Sequence, residues 1–101
     1  MNPINKMRPI HPGEILREEF LLPLGMSVEA LATALKIPLE RINDIIEEHG
    51  PINPDTALRL ARYFGTSPQF WLNLQTSYDL KITEREYGTQ IAREVQPKLA
   101  A

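Results

Sequence analysis

The most constraining feature of this chain is the stretch 27–48, where two amphipathic helical patterns are separated by only Lys36 and Ile37. Ser27 offers a hydroxyl to the free N–H groups of the first helix, which runs to about Leu35 with Leu31, Ala32 and Leu35 inward. The second starts at Pro38, carries Leu39, Ile42, Ile45 and Ile46 at spacings of three and four, and ends before Gly50. Helix pairs joined this tightly cross at about 90–120°, the helix-turn-helix arrangement. Ala32 is small enough for the close approach, and Ile37, Ile42 and Ile45 fill the wedge between the helices. Leu39, Glu40, Arg41, Asn43, Asp44 and Glu47 are left toward the outer side and the helix N-terminus.

The rest of the chain is punctuated by Pro and Gly at intervals of one short helix, and no run alternates long enough for a strand. This predicts an all-α fold. A helix opening at Pro12 turns Ile15, Leu16 and Phe20 inward before Pro23 and Gly25 stop it. Asn53 and Pro54 open a fourth helix with Ala57, Leu58, Ala61 and Phe64 inward, ending at Gly65. Ser67 and Pro68 repeat the device for a fifth, with Phe70, Trp71, Leu74 and Tyr78 on its apolar side. Beyond Leu80, residues 83–96 form a marginal helix, because Gly88 weakens it by roughly 1 kcal/mol. Its Tyr87, Ile91 and Val95, four apart, read either as a stripe for a second copy or a partner protein, or as a frayed end lying on its own domain. The organisation expected is an arm over 1–11, a domain over 12–80 with the helix-turn-helix at 27–48, and a helical tail over 81–101.

Composition narrows the function. A chain of 101 residues holds one compact domain without a cleft between lobes. Absence of Cys removes disulfides and thiolate metal sites and suits a reducing cytoplasm; the opening stretch, with Lys6 and Arg8 but no apolar run behind them, does not read as a secretory signal, and no apolar run reaches membrane length. Glu47, Glu48 and His49 point in different directions around a helix, so they form no acid–base pair. His11 and His49 sit in no ligand motif and read as surface or capping residues, so neither metal, cofactor nor enzymatic activity is expected. Net charge is −2, and residues 27–53 carry Lys36 and Arg41 against five carboxylates. That is the wrong sign for gripping nucleic acid by bulk electrostatics.

The run Ser-Val-Glu-Ala-Leu-Ala-Thr-Ala-Leu-Lys-Ile-Pro-Leu-Glu-Arg-Ile-Asn-Asp-Ile-Ile resembles the helix-turn-helix of the Cro/repressor (XRE) superfamily. A narrower resemblance, to HigA-type antitoxins, rests on His11-Pro12-Gly13-Glu14-Ile15-Leu16, on Arg41-Ile42-Asn43, and on the run from Thr56 to Pro68. It extends to Phe70-Trp71-Leu72-Asn73-Leu74-Gln75 and Tyr78-Asp79-Leu80. The resemblance implies a five-helix, lambda-repressor-like DNA-binding domain with a C-terminal helical extension. It also implies a cytoplasmic homodimer that binds operator double-stranded DNA, neutralises a HigB-type endoribonuclease toxin and represses the operon encoding both.

A recognition helix entering the major groove presents about four side chains to base edges. By position these are Leu39, Glu40, Arg41, Asn43 and Asp44, while Ser27, Lys36, Asn53 and Thr56 lie where phosphates are met. The bland alternative for the same helix face is solvated charge with weak pairs at helical spacing. Two departures from the family pattern stand out. Lys36 occupies a turn position usually filled by Gly, which predicts a positive φ at roughly 1 kcal/mol. Glu47-Glu48-His49-Gly50 stands where polar and basic residues are usual, and two carboxylates near DNA repel it. The rival function is therefore a toxin-binding module with little or no DNA affinity.

Overall fold

A computed structural model describes residues 8–99, and all regular structure among them is helical. Most of the arm assigned to 1–11 and the last two residues of the tail lie outside the described residues.

Helix α1 begins at Pro12–Ile15, continues through a π-helical segment, Leu16–Leu21, and closes with Leu22–Leu24. Pro23 does not end it, as the sequence had suggested. Pro has no N–H to donate, and just before it the Leu22 N–H donates five residues back, to the Arg17 carbonyl. Gly25, at φ 60°, ends the helix.

Helix α2 spans Val28–Leu35, with the Ser27 hydroxyl accepting from the Ala30 N–H at 3.0 Å. Lys36 follows with φ 59° and ψ 43°, the left-handed conformation expected of it. The Ile37 N–H reaches back to the Ala32 carbonyl and the Lys36 N–H to that of Thr33, a Schellman closure. Helix α3 spans Leu39–Ile46, with Pro38 just outside it rather than in its first turn. It closes in the same way: His49 donates to Asp44, Glu48 to Ile45, and Glu48 takes φ 66°.

Helix α4 is Pro54–Phe64, capped by the Asn53 carboxamide oxygen, which accepts from the Thr56 N–H at 2.8 Å. Its inward side is Thr56, Ala57, Leu60 and Ala61; Leu58 is 60% exposed, so the inward stripe drawn through it from the sequence is corrected. The register turns on Leu60, two positions along and some 200° around the helix. Helix α5, capped by Ser67, is one continuous helix, Pro68–Glu94. It passes without a break through the boundary placed at 80/81 and through Gly88.

The core gathers Leu16, Leu31, Leu35, Ile37, Ile42, Ile45, Ile52, Leu60 and Trp71, all buried. Each such side chain contributes roughly 1.5–3 kcal/mol. Trp71 is completely buried, and its indole N–H donates to the Thr66 hydroxyl at 2.7 Å, so nothing polar is stranded. Phe20 packs between Phe64 and Trp71 with ring centroids 4.8 and 5.0 Å away. With the α5 extension the molecule measures 55 × 27 × 24 Å.

Candidate nucleic-acid interface

The crossing of α2 and α3 is held at its ends by two arginines from other helices. Arg17 of α1 donates to the Ile46 carbonyl at the last turn of α3, at 2.7 Å, and its guanidinium lies 3.4 Å from the Glu48 carboxylate. Arg59 of α4 donates to the Leu35 carbonyl at the end of α2, at 3.0 Å, while pairing with Asp55 at 2.7 Å. Both guanidinium groups meet C-terminal carbonyls, where the helix dipole favours positive charge. Sequence reasoning gave neither arginine a role; for Arg59 the one local signal was its pairing distance of four from Asp55.

A third anchor is His11. It is 3% exposed, and its Nδ1 accepts from the Gly13 N–H at 2.9 Å, capping α1. The reading of a capping histidine holds, but the site is buried, against Tyr78 at 4.8 Å. Burial lowers its pKa below the usual 6.5, against the attraction of Glu48 and Asp79 and a hydrogen bond to the Gly50 backbone. Two residues on, Gly13 lies so close to α3 that a Cβ there would stand 1.8 Å from the Ile45 carbonyl oxygen. Gln75 of α5 ties down the loop after α3, accepting from the Ile52 N–H at 2.7 Å and donating to Asp79 at 3.0 Å. The α2–α3 pair and the loop that follows it are thus fixed from α1, α4 and α5.

On the outward face of α3, Leu39, Glu40, Arg41 and Asp44 are exposed and Asn43 is half-buried. Arg41 reaches toward the start of α4, donating to the Thr56 hydroxyl at 3.2 Å. Thr56 itself is only 1% exposed, so its hydroxyl orients Arg41 instead of lying at the surface as a phosphate contact would require. Ser27 and Asn53, both exposed, stand at the N-termini of α2 and α4, and Lys36 is exposed at the turn. Ser27 shares a surface hollow with Ile46, near the end of α3, whereas Asn53 lies beside Thr56 and Arg41. Of the exposed or half-exposed candidates, five lie on α3 itself, Lys36 and Asn53 stand near its leading end, and Ser27 stands near its last turn. Glu47 and Glu48 belong to the opposite end of α3 from Leu39, about 12 Å along the axis at 1.5 Å per residue.

Two crossed helices, the second with its leading end outward and its far end locked, define a helix-turn-helix protein. The family model described as helix-turn-helix matches residues 16–71. Antitoxin HigA-1 of Vibrio cholerae is 37% identical over 92 residues, covering 91% of this chain and 86% of that protein. Virulence-associated protein I of Dichelobacter nodosus is 58% identical over 82 residues, 81% of this chain and 76% of the relative. Among solved structures, the Pseudomonas aeruginosa antitoxin HigA with the higBA promoter superposes with a TM-score of 0.89 at 52% identity, covering 91% of this chain and all of that one. The antitoxin GraA in complex with its operator gives a TM-score of 0.88 at 50% identity, covering 93% and 95%. The chain belongs to the helix-turn-helix family, and within it to the HigA-type antitoxins. Among the described residues no helix is long and apolar enough to cross a membrane.

Proposed function

We propose that this chain binds operator DNA as a two-fold dimer, neutralises a HigB-type toxin and represses the operon that encodes both. The observation that carries the DNA part is the outward face of α3, where Leu39, Glu40, Arg41 and Asp44 are exposed while the helix is anchored at its far end. A helix so mounted enters the major groove leading end first, with the starts of α2 and α4 toward the phosphates on either side. Arg41 offers a fork to guanine; Glu40 and Asp44 only accept, so cytosine amino groups suit them; Asn43 suits adenine. Ser27, Lys36 and Asn53 meet phosphate from the helix starts and the turn, while Thr56, whose N–H caps onto Asn53, serves through Arg41 instead. Similarity to two antitoxins solved with promoter or operator DNA supports the same reading, and similarity to HigA antitoxins supports a toxin partner.

The rival module without DNA affinity draws on the acidic residues that close α3. Arg17 lies beside Glu48, and both carboxylates are displaced from the leading end, which favours the regulator. Fluorescence anisotropy with DNA from the chain's own promoter, at two salt concentrations, tests it. Specific binding that weakens with salt is expected. Replacing Arg41 or Asn43 by Ala should cost roughly 1–3 kcal/mol per lost bidentate contact. Absence of binding at micromolar dimer, with toxin inhibition intact, would leave only the interaction module.

A further inference from the structure

Between the start of α1 and the middle of α5 lies a hollow of about 310 Å³ that has no part in the DNA-binding reading. On α5 it is lined by Leu74, Ser77, Tyr78 and Lys81, one face of the helix at steps of three, one and three, and on the other side by Ile10 and Ile15. Beyond it α5 leaves the domain, Leu80 being 58% and Tyr87 51% exposed, so the tail does not fold back to close the hollow. The Tyr78 ring packs edge-on against His11 at 4.8 Å, which braces that wall on the residue capping α1. Ile15 and Leu74 are half-buried and Ile10 is 44% exposed, so apolar surface stays in contact with water inside a concavity. An apolar guest gains by covering it.

Size and charge select the guest. A dry apolar cavity of about 150 Å³ holds benzene, so roughly twice that volume suits a fused pair of rings. Arg8 and Lys81 add positive charge to the lining. An adjoining hollow shares Lys81 and is lined also by Arg85 and Glu84, while Arg8 is forked onto Glu14 at 2.8 and 2.9 Å. Three cations against two carboxylates leave this rim positive on a chain whose net charge is −2. An excess of one charge matches a guest with one anionic group. Glu14 takes up two of the N–H groups of Arg8, and the remaining ones can meet a second carboxylate.

We propose that this hollow is a binding site for a small apolar monocarboxylate, its ring system against Ile10, Ile15, Leu74 and Tyr78 and its carboxylate at Arg8 and Lys81. The site is separate from the α3 face, and the proposal goes beyond the operator and toxin reading without depending on it.

Naphthoate and its neutral isostere naphthamide are the probes, titrated into the full-length chain without DNA by calorimetry, with backbone amide shifts followed by NMR. Naphthoate should saturate with a dissociation constant below about 1 mM and bind roughly tenfold more tightly than the amide, because hydrogen bonds to an ionised group are the stronger ones. The shifts should gather at the residues lining the hollow. Lys81→Gln should remove most of the preference for the carboxylate while leaving the amide's affinity unchanged. Ser77 is exposed on a continuous helix, so Ser77→Trp should fill the hollow and abolish binding of both probes with helical circular dichroism retained. Equal affinity for the two probes, shifts centred elsewhere, or native affinity in Ser77→Trp would overturn the proposal. So would a Ser77→Trp chain whose molar mass by light scattering falls to half the native value, since the hollow would then be a contact between two copies.

Discussion

At the scale of single residues, the positions that matter most set the distance and angle of α3, and two of them are small or neutral for that reason. Gly13 touches the Ile45 carbonyl so closely that any Cβ must displace one helix. Gly13→Ala is therefore expected to destabilise by about 2–4 kcal/mol, as overpacking against rigid backbone does; a denaturant midpoint unchanged from the native chain would contradict the close approach. His11 must be neutral to accept the Gly13 N–H, and burial holds its pKa below 6.5. In the unfolded chain it titrates near its ordinary value, so below that pH the unfolded state binds more protons than the folded one. Stability should be complete above about pH 6.5, fall as the pH drops through that value, and level off only below the folded-state pKa. His11→Asn keeps a capping oxygen without a titrating group. Urea melts from pH 7.5 to 5 should show the native slope reduced in that variant; equal slopes would assign the dependence elsewhere.

At the scale of elements, α1 to α4 all end on a left-handed residue: Gly25 and Gly65 at two ends, Lys36 and Glu48 at the others. A side chain costs roughly 1–2 kcal/mol there, while glycine returns about 0.5–1 kcal/mol of that in chain entropy. Lys36→Gly should therefore raise stability by about 0.5–1 kcal/mol, a few degrees in Tm, with the α2–α3 crossing unchanged. No gain in calorimetry would mean that Lys36 is held there by contacts. Lys36 shows how much could be read from the chain: a two-residue joint between periodic helices dictates both the crossing and the positive φ, and the Ser27, Asn53 and Ser67 caps mark helix starts directly. Glu48 shows what could not, because Gly50 was the obvious terminator and nothing local distinguishes a Schellman closure two residues earlier. Of the outward face, Leu39 to Asp44 followed from periodicity. Burial of Thr56, and the carbonyl contacts of Arg17 and Arg59, depend on elements 15 to 29 residues away, which helical spacing does not report.

At the scale of the whole molecule, a net charge of −2 means that the long-range field does not draw DNA in, and binding has to rest on locally placed donors. Of the groups in the proposed interface, only Lys36 and Arg41 are cationic; Ser27 and Asn53 would meet phosphate as neutral donors that release no counterion. A dimer bound in the proposed way should therefore neutralise about two to four phosphates, and log K against log salt should slope at roughly −2 to −4. That is shallow for an operator-binding protein, some of which reach about −10. Specificity is consequently less salt-sensitive than affinity is in strongly basic repressors, because more of the free energy comes from base edges and less from the ion atmosphere. Glu47→Gln, at the far end of α3, removes repulsion and should tighten binding to operator and to random duplex alike, leaving their ratio nearly unchanged. Arg41→Ala should instead collapse that ratio. Titrations of both variants against operator and random duplex, each from 50 to 200 mM salt, separate the two effects. A native slope steeper than about −6 would require cationic groups outside the α2–α3 face and would shift the phosphate contacts away from the residues named here.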